Sequence, residues 1–420
     1  MTGSPRATKK RKRAWASPRS ATQARFGVDA TALSTFAILQ LGVYLLMQIP
    51  SGVMADRFGP RRMLVAALLT MALGEALFGF ATTMPLAVLG RALVGLGDAL
   101  TFLNVVRLIA SWFPRRRFAL LTALTAMTGA LGQIVGTVPL SAALRGLGWT
   151  PTFLGVGLLS GLLSIVVWWW VRDQPDASRE RSTSPVSVLA DVRTVFAARG
   201  TRAGLWTHFA TMSSFMVLAT LWGYPYLAKG LGMAPASARL VLTLGAATPM
   251  VAAPLLGLLA GRRPDLRGRL IIGVTGTLAV AWLLAITWPG GHLPAPLAVA
   301  LVLFSVVGSA VSMLAFDFAR DACPPERGGM ASGIVNVGGF SAAMTGSLGA
   351  GVLIDATGGH YDAGSFQIAF IPITVMIAIG AVRVTMLLRR GQAGPRGPVS
   401  RGRTIHEHAA PRPAAAPPGA

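Results

Sequence analysis

The chain is short of charge: 13% of its 420 residues are Asp, Glu, Lys or Arg, about half the share of a soluble globular protein. With 53% hydrophobic residues, that shortage excludes an ordinary soluble enzyme and points to a polytopic membrane protein. There is one cysteine, Cys323, so no internal disulfide can form, and its place beside Pro324-Pro325 in a loop reads as an inert thiol. Acidic residues are few, 15 against 38 Lys and Arg, for a formal charge of +23. A nucleic-acid module would need that excess on one soluble face, whereas here it is spread over short loops and tails, so no nucleic-acid partner is expected. The chain lacks a Walker-type nucleotide loop, an HExxH string and paired intramembrane aspartates in helices that could meet, which argues against ATP drive and membrane proteolysis. It is expected not to be an enzyme and to need no cofactor or metal. The basic run KKRKR at 9–13 is followed by no apolar core, so it does not open a signal peptide.

What the chain has is apolar runs long enough to cross a bilayer. Five fall in the first half, at 33–53, 63–82, 85–112, 118–143 and 151–171, and six in the second, at 204–228, 236–261, 269–288, 293–319, 328–354 and 365–388. The fold class is therefore an all-α membrane protein. Residues 1–32 form a non-membrane segment, 33–171 a first bundle, 172–203 a linker, 204–388 a second bundle and 389–420 a disordered tail rich in Arg, Pro, Ala and Gly. Within the linker Val188, Leu189, Val192, Val195 and Phe196 recur at helical spacing opposite Asp191, Arg193 and Thr194, the pattern of an amphipathic helix on the membrane surface. Alternate loops carry the arginine clusters, whereas those between are almost uncharged, 82–85, 289–296 and 356–365 holding no Lys or Arg, so the arginine-rich set and the C-terminus are expected in the cytoplasm.

One loop is denser than the rest. Gly52 to Arg62, GVMADRFGPRR, places Gly52, Asp56, Arg57, Gly59, Arg61 and Arg62 between two apolar runs. A positively charged membrane loop is the plain reading. The spacing also resembles the signature that major facilitator superfamily transporters carry between their second and third helices, with Pro60 where the family has a basic residue. Arg91-x-x-x-Gly95-x-Gly97 resembles the family's fourth-helix signature. Gly129, Gly132, Gln133, Gly136 and Pro139 resemble part of its fifth-helix pattern, with Gln133 in place of proline. The resemblance implies two pseudo-symmetric bundles of six helices. Eleven spans with a cytoplasmic C-terminus would put KKRKR outside, so the family's first helix is expected to be absent from this chain as written. The overall likeness is to actinobacterial members grouped near nitrate/nitrite porters, although the arginines such porters use are not matched.

An internal echo supports two halves. FPRRRFALLTALTAMTGALG at 113–132 aligns with CPPERGGMASGIVNVGGFSA at 323–342, and PSGVMADR from Pro50 with LLGLLAGR from Leu255, where Gly261 replaces Asp56.

Ionisable groups inside spans are functional candidates. The resemblance gives Arg91 a cavity and proton-coupling role, and an arginine reaching the interface is the alternative. Asp98, seven residues on, is its expected partner, ranked above Glu75, whose flanking Gly74 and Gly79 suggest packing. Gln40, Tyr44, Gln48 and Asn336 suit a cavity or serve as helix-to-helix hydrogen bonds. Tyr224, in the Gly/Pro-bent run Leu221–Tyr226, suits an outer mouth or an interfacial belt. His208 reads as interfacial. Arg107 and Asp317 fall at equivalent positions of the repeat and are expected to close the inner mouth as a pair, with an Arg320–Asp317 bridge as the competing reading. In the family the Asp56 acid meets the start of the helix that here begins near Gly328-Gly329, where free amides favour an anion.

Together these features imply a monomeric secondary transporter in the plasma membrane, moving a small solute by alternating access with proton coupling. A non-transporting receptor or an inactive truncated remnant is the alternative.

Overall fold

The computed structural model describes residues 39–40, 42–173 and 185–392. Residues 1–38, on which the N-terminal segment and the absent first helix depend, lie outside the described residues, as does the tail from 393.

The first expected span is helical at 42–46 and, after a turn at Met47, in α1 (Gln48–Phe58). Gly59 takes φ 85°, a conformation that suits glycine, and Pro60 opens α2 (Pro60–Phe80) with its fixed φ. Then come α3 (Met84–Trp112), α4 (Arg115–Gly146) and α5 (Trp149–Trp170). The short α6 (Pro185–Ala197) leads to α7 (Arg199–Val217), which runs on through π-helical pieces Leu218–Trp222 and Tyr226–Gly230 around the turn Gly223–Pro225. The rest comprises α8 (Pro235–Arg262), α9 (Arg267–Thr287), α10 (Ala295–Ser312), α11 (Ala315–Ala322), α12 (Gly328–Ala356), α13 (Ala363–Ala369) and α14 (Ile371–Gln392).

Eight helices among the described residues are long and apolar enough to cross a membrane. The expected spans at 118–143 and 204–228 correspond to α4 and α7, which are helical but not among those eight. In α7 the reason is polarity: Thr201, Thr207, His208, Thr211, Ser213 and Ser214 are all buried. Exposed Leu69, Leu73, Leu158, Leu162, Val251 and Leu283 cover the outer faces of α2, α5, α8 and α9, where lipid is the solvent that favours them.

In the first bundle α2 packs between α3 and α5, with bare backbones meeting at Gly74 and Gly90. In the second, α7 is central, against α10, α11, α12 and α14, and Trp282, Phe370 and Ile373 are sealed in its core. The bundles touch along two seams, α1 with α12 and α4 with α8. The amphipathic α6 does not stand apart: Val195 is buried among Phe316, Met330 and Ile334, and Asp191 pairs with Arg327 at 2.6 Å.

Candidate functional site

The α1–α12 seam is built by glycine. A methyl group on Gly52 would strike the Gly329 carbonyl, and one on Gly333 the Gln48 carbonyl, so only bare backbone lets the helices approach this closely. Asp56, one turn beyond Gly52, is thereby set against the start of α12. Gly329 N–H donates to its Oδ1 and Met330 N–H to its Oδ2, both at 2.8 Å, using amides that a helix start leaves without partners. Arg107 of α3 brings its Nε within 3.0 Å of the same Oδ1. Burial pushes the Asp56 carboxyl up to about 6, and Arg107 and the two amides act against that, so it is charged at neutral pH.

The rest of the loop divides its tasks. Arg61 stays within its own bundle: its backbone N–H donates to Asp173 at 3.0 Å and its Nε to the Trp168 carbonyl at 3.1 Å, with the guanidinium over the Trp168 ring. Arg57 lies over Phe58, and Arg62 is exposed.

The second seam mirrors the first. Gly257 and Gly261, the echoes of Gly52 and Asp56, lie against the backbones of Leu120 and Arg116. Where α1 uses a carboxylate, α8 uses bare backbone. Charge returns nearby, with Asp321 between Arg267 of its own bundle at 3.1 Å and Arg115 of the other at 3.7 Å.

The expected Arg107–Asp317 pair is not formed. Arg107 is taken by Asp56, and Asp317 is 2% exposed with Oδ2 lacking a hydrogen bond. The turn at Met313–Leu314 breaks the register on which the repeat rested, leaving Asp317 within electrostatic reach of Arg267, Asp321 and Arg320. The competing Arg320–Asp317 bridge is also absent among the described residues. Arg320 instead crosses to the first bundle, donating to the Ala110 and Phe113 carbonyls at 3.2 and 3.3 Å. A cavity of about 370 Å³ opens beside these contacts, lined by Asp56, Arg107, Arg115, Asp173, Arg320 and Cys323 among others. Cys323, expected to be inert, thus faces an opening and shares a hydrogen bond with Thr201 at 3.3 Å.

Deeper in, Arg91 is paired with Glu75 at 3.5 Å, donates to Gln40 Oε1 and lies over the Phe78 ring. The expected partner was Asp98. Helical side chains lean toward the N-terminus, so Arg91 leans away from Asp98 and toward the level of α2 where Glu75 projects. Gly95 lets Gln40 approach, and Gly97 lets α2 approach at Met71. Asp98 remains partly buried, within electrostatic reach of Arg91.

Asn336 donates to Gln48 Oε1 at 2.6 Å and faces the Tyr44 hydroxyl at 3.4 Å, while the Tyr44 and Phe340 rings lie 4.6 Å apart. Gln48 and Asn336 are buried, so in this structure these residues join helices. The Gln133 side chain lies outside the described residues. A methyl group on Gly129, Gly132 or Gly136 would meet nothing within 4 Å beyond its own helix among the described residues. Of the two tyrosines in the bent run, Tyr224 is exposed, whereas Tyr226 is buried against Phe366 and Phe370. His208, expected at the interface, is 1% exposed, because α7 begins at Arg199 and carries it a further turn inward.

A model of the Major Facilitator Superfamily matches residues 18–223 and again 204–417. A probable sulfoacetate transporter of Cupriavidus necator is 23% identical over 358 residues, 81% of this chain and 81% of that protein. A probable galactarate/D-glucarate transporter of Escherichia coli is 24% identical over 348 residues, 74% of this chain and 77% of that one. These relatives, named for sulfoacetate and galactarate/D-glucarate, do not show the expected grouping near nitrate/nitrite porters. The crystal structure of FucP, a transporter of this superfamily in the outward conformation, shares the fold, with a TM-score of 0.63 at 14% identity over 87% of this chain and 92% of that one. With both halves matched by one family model and the fold shared along most of its length, the chain is a multi-pass membrane transporter and belongs to the major facilitator superfamily.

Proposed function

We propose that the protein moves a small organic anion across the plasma membrane by alternating access, as a monomer driven by protons, with its arginine-rich end and C-terminus in the cytoplasm. The observation that carries this reading is the Arg91–Glu75 pair, a guanidinium and a carboxylate held inside the first bundle with side chains 23% and 10% exposed. An ion pair at such depth is costly to keep and is a functional candidate for that reason. Protonation of Glu75 removes the charge that occupies Arg91 and frees the guanidinium for a carboxylate or sulfonate of the solute. Asp98 lies within electrostatic reach of the same arginine and serves as a second proton acceptor. Gln40, Tyr44, Gln133, Tyr224 and Asn336 border the pathway in this reading.

The names of the relatives support an anion, since sulfoacetate and galactarate/D-glucarate are acids ionised at neutral pH. The gate is assigned to Gly52, Asp56, Gly59 and Arg107, with Arg57, Arg61 and Arg62 holding the loop. Asp317 stands behind it beside the Asp321 bridges. The two seams close the arginine-rich end here, so this structure corresponds to the state shut toward the cytoplasm. The test is uptake into proteoliposomes of labelled sulfoacetate, D-glucarate and tartrate under an imposed pH gradient. Accumulation of one of them, lost in Arg91→Ala and on collapsing the gradient, supports the reading; equal uptake with and without the gradient removes the proton from it.

A further inference from the structure

His208 is a buried imidazole that the function above does not use. It is 1% exposed, and neither ring nitrogen has a hydrogen bond of normal geometry. A polar side chain enclosed without partners is costly, and a native structure that keeps one has a reason for it. Its depth fits a task in transport. His208 lies against Gly339 of α12, about 15 Å along that helix from Gly329 at 1.5 Å per residue, which is half of a hydrocarbon core of ~30 Å.

Nothing nearby would hold an imidazolium. The groups that face the ring are the Ser312 backbone and the Asn336 side chain, with the Phe316 ring 5.3 Å away. Of the charged residues on the elements packed around α7, Asp317 lies within electrostatic reach of Arg267, Asp321 and Arg320 and forms no ion pair among the described residues, Asp321 pairs with Arg267 and Arg115, Asp191 with Arg327, Arg320 lies over Phe118 and Arg383 over Trp206. His208 is therefore neutral in this closed arrangement. Asn336, however, donates to Gln48 of the other bundle. The groups that wall off His208 are thus part of the α1–α12 seam, and parting that seam takes Asn336 from Gln48 and admits water to the ring.

We propose that His208 is a proton-binding site of the second bundle, empty while the arginine-rich mouth is closed and filled from the cytoplasm when the α1–α12 seam parts. This rests on the alternating-access reading with that orientation. Protonation and closure exclude one another, so by linkage protons must favour the open arrangement, over the range where an imidazole with access to water titrates.

The test uses spin labels at Arg117→Cys and Arg389→Cys, exposed positions on α4 and α14, in Cys323→Ser protein in nanodiscs, with the distance distribution read by double electron–electron resonance. The longer, open-mouth distance is expected to gain about threefold or more in population as pH falls from about 8 to about 5.5. His208→Gln and His208→Asn are expected to cut that response to the part supplied by Asp56, whose carboxyl at the seam titrates in the same range. A pH response undiminished in either folded histidine variant overturns this proposal alone. Absence of any longer distance at either pH overturns alternating access with it.

Discussion

The Asp56 carboxylate and the Arg107 guanidinium, from α1 and α3 of one bundle, meet at 3.0 Å where that bundle touches the start of α12. Each accounts for the burial of the other. Without Arg107 the carboxylate would be a buried anion held by two amides, and without Asp56 the arginine would be a buried cation with no counter-charge. The first prediction concerns this pair. Asp56→Asn keeps the shape but supplies one acceptor oxygen where two are used. Maleimide labelling of the native Cys323, which lines the adjoining cavity, is expected to rise about fivefold or more; an unchanged rate would count against Asp56 as the latch.

Exchange of partners distinguishes this pair from the one the repeat suggested. Asp56→Arg combined with Arg107→Asp restores opposite charges at this contact, although an arginine cannot accept from the Gly329 and Met330 amides, and is expected to recover a minor part of the transport that each single change loses. Arg107→Asp combined with Asp317→Arg is expected to recover none. Rescue by the second combination and failure of the first would return the gate to Asp317.

Glycine at the seams gives a steric prediction. Gly52→Val places branched carbon against the Gly329 carbonyl and Gly257→Val against the Leu120 backbone; both are expected to hold the arginine-rich mouth apart and raise Cys323 labelling. Gly129→Ala, with nothing within 4 Å, is expected to leave labelling as it was. Equal behaviour of all three variants would show that close backbone approach is not what the seams require.

The acid paired with Arg91 is tested by stability. Glu75→Ala strands a guanidinium that is 23% exposed, and a loss of about 2–3 kcal/mol is expected, below that of a fully buried pair because water reaches part of it. Asp98→Ala is expected to cost less. Denaturation in mixed micelles measures both, and the reverse order would reinstate Asp98 as the partner.

How much of this was legible depends on where the information lies. The Asp56 latch was legible only through the resemblance, which implies that this acid meets the start of the helix near Gly328-Gly329; the local sequence by itself marks no more than a charged loop with a glycine one turn before an acid. The Arg91 partner was misread although its signal was local: the lean of helical side chains turns Arg91 from Asp98, and the glycines beside Glu75 do pack but leave the carboxylate free to project. Asp317 failed for a different reason. Its place came from the 210-residue offset of the repeat, and the Met313–Leu314 turn, which no strong breaker residue announces, shifts the helix that carries it. His208 was placed too near the interface because Arg199 and Arg202 read as linker, whereas α7 already includes them. The Asp321 bridges to Arg115 and Arg267 join residues far apart in the chain, and nothing in their local sequence marks them.

In the proposed cycle Arg91 is the solute-binding cation, released by a proton on Glu75. Its most direct test is proton-driven uptake of sulfoacetate or D-glucarate in proteoliposomes, comparing wild type with Glu75→Gln and Arg91→Lys. Wild-type protein should concentrate the anion only with a pH gradient. Glu75→Gln, which mimics the protonated acid, should exchange the anion across the membrane without responding to the gradient. Arg91→Lys should lose about tenfold or more in apparent affinity, because a lysine cannot offer the planar fork that fits a carboxylate. Gradient-driven accumulation that survives in Glu75→Gln, or an affinity unchanged in Arg91→Lys, would contradict it.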